Sequence, residues 1–396
     1  MGVSNEELVQ KALIVADDLA SSGKLNPAQS DRFIDYVIDE TILKDNARTV
    51  RFRNESLEID KIGIGRRAAV PKSEARDPGV RRGVSTSKVT LTPSEIMVPF
   101  EIGDNFRELN IEGDMVEDHV IRMFATQLAN DMEELYIIGD TLGPSQAEGD
   151  LVDNGSATDH IKDTYLALQN GWSKLSRSGH IVDAAGQNIG LSLFSQCIRA
   201  MPTKFRRNIK ALRWFMSPDL YQIYCEKLST RATALGDASA GGTMHTPFGI
   251  PVVPVPLWAF QPLTVEHIQL TGLGSHALLN GPITDVVVTP EGLASTPTTP
   301  YVENTDYTVD EAAGTIARLA GAIGDGDTVK VTYKSNPQLI LTHQNNFIVG
   351  IGRDVRIEKD RDIFKGVNQY AITAKVAVQF EEADAIVKMR NIGTGV

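Results

Sequence analysis

Cysteine is nearly absent from the chain: Cys197 and Cys225 are the only two in 396 residues, and they do not stand at a CxxC spacing. Neither a disulfide framework nor a zinc site is therefore indicated, and both thiols read as core or incidental residues. Long apolar runs are missing as well. Asp17 and Asp18 break the longest N-terminal one, and Met1 to Glu7 is acidic where a signal peptide would be basic. The expectation is a protein that folds in a cytoplasm and has no membrane partner. Basic charge is in the minority, with 39 Lys and Arg against 51 Asp and Glu, a net charge of −12 and a pI near 5.1. That balance argues against a dedicated nucleic-acid reader, which needs positive charge to displace counterions from phosphate, though it leaves contact through a local patch open.

The motifs of common chemistries are missing too. No Gly-Lys-Ser/Thr tripeptide, no HExxH and no GxSxG occurs, which removes the P-loop, the zinc-protease helix and the nucleophile elbow. Gly63-Ile-Gly65-Arg-Arg-Ala68 spells a dinucleotide fingerprint, but Pro71 falls where the phosphate-binding helix would run. Asp325-Gly-Asp327 is too short for a calcium loop. The histidines, at 119, 160, 180, 245, 267, 276 and 343, stand singly with no i, i+4 metal face. Glu133 with Glu134, and Glu381 with Glu382, fit charged surface better than acid/base work. No catalytic residue, no metal ligand and no cofactor is expected.

What the chain does carry is a charge inversion. Residues 44 to 88 hold 12 Lys and Arg against 6 Asp and Glu, a net +6, while residues 95 to 150 hold 2 against 14, a net −12. Opposite charges in separate blocks suggest an extended basic arm and an acidic partner surface, the partner being possible in a neighbouring copy of the same chain. An ordinary solvated surface is the other reading. With 42% hydrophobic residues the chain can bury a sizeable core, divided among two or three units of typical size.

Apolar spacing predicts two short helices at residues 4 to 21 and 28 to 43, an N-terminal arm. Alternation at residues 49 to 64 and again at 84 to 100 predicts a long two-stranded hairpin, which must lie on something else because an isolated hairpin is only marginally stable. Asp114 to Ile138 is the strongest helix, with Val116, Val120, Phe124, Leu128, Met132 and Leu135 in one stripe, a structural spine of roughly 37 Å. Residues 160 to 280 alternate helices (163 to 177, 191 to 201, 218 to 230) with strands (212 to 217, 250 to 255), an α+β domain with a mobile loop at 236 to 242. Residues 281 to 336 are rich in Thr, Val and Gly and read as a small inserted all-β domain, after which strands resume at 339 to 342 and 372 to 380. A second basic patch, Lys204, Arg206, Arg207 and Lys210 with Arg213 beside it, suits contact with a neighbouring subunit better than contact with nucleic acid, because only Phe205 and Trp214 offer rings for stacking.

In this order the parts resemble the major capsid proteins of tailed bacteriophages, the Hong Kong ninety-seven fold. The likeness rests on the arm, the basic hairpin, the acidic spine closing in Glu134-Leu-Tyr-Ile-Ile-Gly-Asp-Thr141, and Thr246-Pro-Phe-Gly-Ile-Pro-Val-Val253. It continues in Asn346-Phe-Ile-Val-Gly-Ile-Gly-Arg-Asp-Val-Arg-Ile-Glu358 and a closing strand from Phe380 to Asn391 that carries Ala383-Asp-Ala-Ile-Val387. It covers everything but the insert.

The resemblance implies an α+β chain divided into an N-terminal arm (1–45), an E-loop hairpin and start of the peripheral domain (46–100), and a spine helix with the peripheral domain (101–159). It further implies an axial domain (160–280), the inserted β domain (281–336) and a return of both domains (337–396). It implies a non-enzymatic, self-assembling shell in hexamers and pentamers around double-stranded DNA, located in the virion and, before assembly, in the host cytoplasm. Scaffolding, portal and decoration proteins are the further partners it suggests. In the family the E-loop lies across a neighbour near its spine. That places Arg66, Arg67, Arg76, Arg81 and Arg82 against an acidic spine surface of Glu117, Asp118, Asp131, Glu133 and Glu134. Many members begin with a cleaved scaffolding segment of roughly one hundred residues; the short arm here points to a separate scaffold or none. Lys61 and Lys72 are the nearest hairpin lysines to a family cross-link, but no motif supports one. The rival readings are an encapsulin-like compartment around an enzyme cargo, a tail or baseplate protein, and an enzyme assembled from residues such as Asp219, His245 and Glu266.

Overall fold

The computed structural model describes residues 13–14, 46–51, 56–63, 69, 83–104, 106, 116–147, 158–229, 246–291 and 298–395. Within them strands dominate. The first sheet runs in the order β1 (Leu13–Ile14), β5 (Ser94–Gly103), β19 (Val367–Phe380), β18 (Phe347–Asp362), β2 (Arg48–Arg51). Along β5 the buried residues are Ile96, Phe100 and Ile102 while Glu95, Met97 and Pro99 face out, the two-residue period of a sheet with one face on a core. Leu13 and Ile14 lie in a strand within the first expected N-terminal helix, and the second expected helix falls outside the described residues.

The spine forms as expected: α1 (Val116–Ile138) has 23 residues, about 34 Å at 1.5 Å per residue. Val120, Phe124, Leu128, Met132 and Leu135 of its stripe meet the core of the first sheet. Three rings lock the packing, with Phe124 stacked on Phe100 at 4.2 Å between centroids and Phe100 on Tyr370 at 5.0 Å.

The hairpin is shorter than the alternation suggested. β3 (Leu57–Gly63) pairs with β4 (Ser85–Leu91) in continuous antiparallel register, whereas β5 and β2 leave it for the first sheet. Its base needs a support, and finds one where Leu57, Ile59, Val89 and Leu91 pack on Ile348 and Ala377 of β18 and β19.

A second sheet runs β10 (Val252–Pro254), β9 (Leu212–Met216), β17 (Leu339–His343), β20 (Ile386–Arg390), β8 (His180–Asp183). One face, carrying Trp214, Met216, Leu339, Leu341, Val387 and Met389, is covered by α3 (Leu191–Ala200) and α4 (Pro218–Ser229). From the other, Phe215, Ile340 and Ile386 enter the core shared with α1 and the first sheet. The closing strand expected from Phe380 to Asn391 is thus two pieces: the chain leaves the first sheet at Phe380, turns through Ala383–Ala385 and enters the second at Ile386.

The helix expected over 163 to 177 is broken into single turns around α2 (Trp172–Leu175). Here Gly171 lies against the C-terminal end of α1, and the Gln169 side chain serves the sheet, donating to Val376 O at 2.8 Å and accepting from Val378 N at 2.8 Å. Those tertiary bonds hold an extended backbone that a continuous helix would forbid.

The β-rich unit begins earlier than residue 281. β11 (Leu263–Leu270) pairs residue by residue with β16 (Asp327–Ser335), which also pairs with β13 (Ile283–Pro290). A smaller sheet of β12 (His276–Ala277), β15 (Thr315–Arg318) and β14 (Tyr307–Asp310) closes the unit around Leu270, Val288, Ile316, Val331 and Tyr333. The short hairpin of β6 (Ser145–Ala147) and β7 (His160–Lys162) ties it to the body, with Ser145 N donating to Thr332 Oγ1 at 3.3 Å.

Candidate assembly surfaces

The basic arm begins on a fixed base. Glu381 and Glu382, read as plain surface, take up Arg48 at 3.2 Å and Lys61 at 3.7 Å, while Lys88 meets Glu58 at 2.5 Å across the hairpin. The Arg48 and Lys61 pairs are partly exposed and contribute about 0 to 1 kcal/mol each, and the Lys88 pair is open to solvent. Arg66, Arg67, Arg76, Arg81 and Arg82 lie outside the described residues, as does Lys72.

The acidic spine surface needs correction. Glu133 is buried at 1% exposure, and Asp131 and Glu134 are half-buried. Burial holds both of the latter carboxyls above the usual range, for Glu134 with help from Asp131 and Asp163; Gln127 offsets part of the effect by donating to Asp131 at 2.7 Å. The cause is packing on two sides: α1 meets the first sheet along its stripe and the 165–175 segment on a neighbouring face, so its C-terminal half has no open acidic flank. The side chains of Glu117 and Asp118 lie outside those described.

The second basic patch is present and divided. Lys204 is committed to Asp384 at 3.3 Å and stands over the Phe205 ring at 4.5 Å, and Arg213 donates to Gln344 and to two backbone carbonyls. Arg206, Arg207 and Lys210 meet no acid among the described residues, and Arg206 Nε is buried without a hydrogen-bond partner there. Beside them opens a cleft of about 520 Å³, walled by Ile198, Ile209, Phe248 and Ile250 and rimmed by Arg206 and Arg207. Phe248 is half exposed on a left-handed backbone (φ 56°), a conformation that costs a non-glycine residue energy.

Sequence reasoning found the cations and missed the cleft. A Phe between Pro and Gly, as in Thr246-Pro-Phe-Gly249, is the available sequence signal for an exposed ring on a turn. The β18–β19 tip was missed as well: Ile363 and Phe364 stand fully out, on a turn where Asp362 accepts from Phe364 N and Lys365 N and Gly366 takes φ 68°.

Among the described residues no group of three or more His, Cys, Asp or Glu is placed to hold a metal ion. Asp219 sits in the first turn of α4, while Glu266 is in the β-rich unit, accepting from Leu279 N at 3.0 Å and from the Tyr333 hydroxyl; His245 is outside the described residues. Cys197 is buried and its thiol is pushed up to about 12 by burial, the opposite of an activated nucleophile. No described helix is long and apolar enough to cross a membrane.

No family model matches the chain. Over 388 residues it is 29% identical to "Putative prophage capsid protein YqbE" of Bacillus subtilis (strain 168), covering 97% of this chain and 98% of that one. A solved structure described as the capsid of a native GTA particle superposes with a TM-score of 0.51 over 96% of this chain and 100% of that chain, at 14% identity. The chain has the Hong Kong ninety-seven capsid fold. The capsid of Myoviridae phage XM1 is also similar, at 10% identity and a TM-score of 0.48 over 94% of this chain and all of that one. A sequence relative named as a capsid protein and a fold match to a capsid together support a shell-forming capsid protein. A structural role follows from that reading.

Proposed function

We propose that the chain is the major capsid protein of a tailed phage or prophage, assembling through hexamers and pentamers into an icosahedral shell that encloses double-stranded DNA. The observation that carries this is end-to-end sequence similarity to a prophage capsid protein on a chain with the capsid fold. The β3–β4 arm reaches from its anchored base across a neighbouring copy, with Arg66, Arg67, Arg76, Arg81 and Arg82 as its charged contacts. Because the C-terminal half of α1 is packed, the arm's acidic partner is centred on Glu117 and Asp118 and not on Asp131, Glu133 or Glu134. The first sheet with α1 serves as the peripheral domain, the second sheet with α3 and α4 as the axial domain, and the unit from Leu263 to Ser335 as an outward insert. Location in the virion, and contacts with scaffolding, portal and decoration proteins, belong to this proposal.

Electron microscopy of the purified protein at about 0.1 M and about 1 M NaCl tests it, since the Debye length falls from about 10 Å to about 3 Å between the two. Closed shells or capsomer rings that loosen in the higher salt are expected. A chain that stays monomeric, with and without a scaffolding protein from the same phage or prophage, overturns it. Nuclease-resistant DNA within native shells is the further expectation, and an enzyme cargo in place of DNA decides for the compartment reading.

A further inference from the structure

The second sheet ends in β10 at one edge and β8 at the other, neither paired on its outer side with a further strand among the described residues. They are not alike. Beside β10 lies the Arg206/Arg207 cleft, entered past Ile209 and Phe248. Edge strand β8 alternates, turning His180 and Val182 inward and Ile181 and Asp183 outward. Ile181 is 47% exposed, and Asp183, two residues on and so on the same side, leaves part of its carboxylate open while holding Ala185 N, Asn391 and Arg390. One edge therefore offers an apolar slot rimmed by cations that meet no acid among the described residues. The other offers an apolar side chain beside an acid, at the spacing of one strand repeat.

The strands at the two edges run in one direction. β10 is parallel to β9, β9 and β20 are each antiparallel to β17, and β20 is parallel to β8, so β8, β9, β10 and β20 all run one way. Leu212 starts β9 and Ile250 lies two residues before β10, while the strand registers set Ile181 level with Phe215 and Val253, so the plug on one edge stands further along the common strand direction than the slot on the other. Unlike surfaces on opposite sides of one subunit make a head-to-tail contact, which repeats into a ring when the rotation closes.

We propose that the Arg206/Arg207 cleft receives the β8 edge of a second copy, with Ile181 filling the apolar slot and Asp183 meeting the Arg206 and Arg207 guanidiniums. Charge complementarity selects this occupant: the cleft's cations meet no acid among the described residues, on a chain whose net charge is −12. Apolar contact supplies the contact energy, and the charged rim sets register and discourages a like cleft from facing it. The proposal rests on the shell-forming reading and adds the residues by which neighbouring copies meet.

Paired cysteines test it with little disturbance to folding. In the full chain carrying Ile181→Cys and Ile209→Cys, mild oxidation of assembled protein is expected to give a ladder of reducible multimers, while either substitution alone gives none. Shells that form without the ladder overturn this contact and leave the shell-forming reading standing. A ladder from one substitution alone shows a like-to-like contact and overturns the head-to-tail one, and so does cross-linking of Ile209→Cys to Phe364→Cys, which makes the β18–β19 tip the occupant. A chain that stays monomeric under all conditions overturns both readings. Arg206→Glu with Arg207→Glu is expected to abolish rings and shells with an unchanged circular dichroism spectrum; unimpaired assembly overturns the role of the charged rim.

Discussion

The backbone N–H of Gly171 donates to the carbonyl of Gly139 across 2.6 Å, joining the end of the spine to the segment that leads into α2. Neither residue has room for a side chain. A Cβ on Gly171 would stand 2.5 Å from Ile137 O, and one on Gly139 would stand 2.6 Å from the carbonyls of Gln169 and Leu135. The obstacles are backbone atoms, which cannot rotate away. Gly171→Ala is therefore expected to lower stability by about 1 to 3 kcal/mol, the usual range for overpacking, seen as an earlier urea midpoint of the spine-containing transition. An unchanged midpoint shows that the two segments separate without cost.

Lys330 on β16 is buried, and burial, helped by the nearby Lys162, pulls its ammonium down to about 8 despite Asp140 and Asp163. Those acids are partly occupied, Asp140 by Lys174 and Asp163 by Gln146. Below about pH 8 the folded and unfolded chains both hold the Lys330 proton, and the cost of burying the charge is at its largest. Between about 8 and 10.5 the unfolded chain binds more protons, so stability should rise with pH across that window. Lys330→Met should raise stability at pH 7 and flatten the rise. Chemical denaturation at several pH values from 7 to 10 reads both effects, and parallel curves for the two proteins contradict the assignment to Lys330.

What sequence could show about the fold depended on how local the determinant was. The spine was legible because its stripe repeats every three or four residues within one helix, and α3 and α4 likewise. The 163–177 segment was misread because its structure is fixed from afar, by Gln169 bonding to β19 and Gly171 bonding to Gly139. The start of the β-rich unit was placed too late for the same reason. Leu263 pairs with Lys334, across most of the unit, and Gly281-Pro282 falls inside the unit between β12 and β13 instead of at its border. Among the assembly residues, composition located the charges but gave no burial. Glu133 and Lys210 look alike as surface charges in the sequence, and only packing separates the buried one from the open one.

The five arm arginines act, in the proposed assembly, at long range and in water. Their effect belongs more to encounter than to final stability, since exposed pairs contribute little once formed. Replacing Arg66, Arg67, Arg76, Arg81 and Arg82 by Gln should leave the urea midpoint of the unassembled chain within about 0.5 kcal/mol of the parent, as surface substitutions do. Assembly followed by light scattering should slow at low salt and lose most of its dependence on ionic strength. A parent and a variant with the same salt dependence would place the electrostatic contact elsewhere.

Phe100 lies between Phe124 of the spine and Tyr370 of β19, nearly parallel to both rings, with interplanar angles of 13° and 10°. It is buried on β5, in the strand pair that carries the first sheet's core face, so its ring is held by a strand on one side and a helix on the other. Removing it leaves a cavity that neither can fill, because the spine is also fixed by Leu128 and Leu135 in the same core. Phe100→Ala should cost about 3 to 5 kcal/mol, and Phe100→Leu less, since Leu restores part of the volume without the stacking. Phe124→Ala should also destabilise. Because both substitutions break the same ring contact, the double variant should lose less than the sum of the singles, by about 0.5 to 1.5 kcal/mol. Urea midpoints of the four proteins measure that difference directly; strict additivity would mean the rings stand side by side without holding the spine to its sheet.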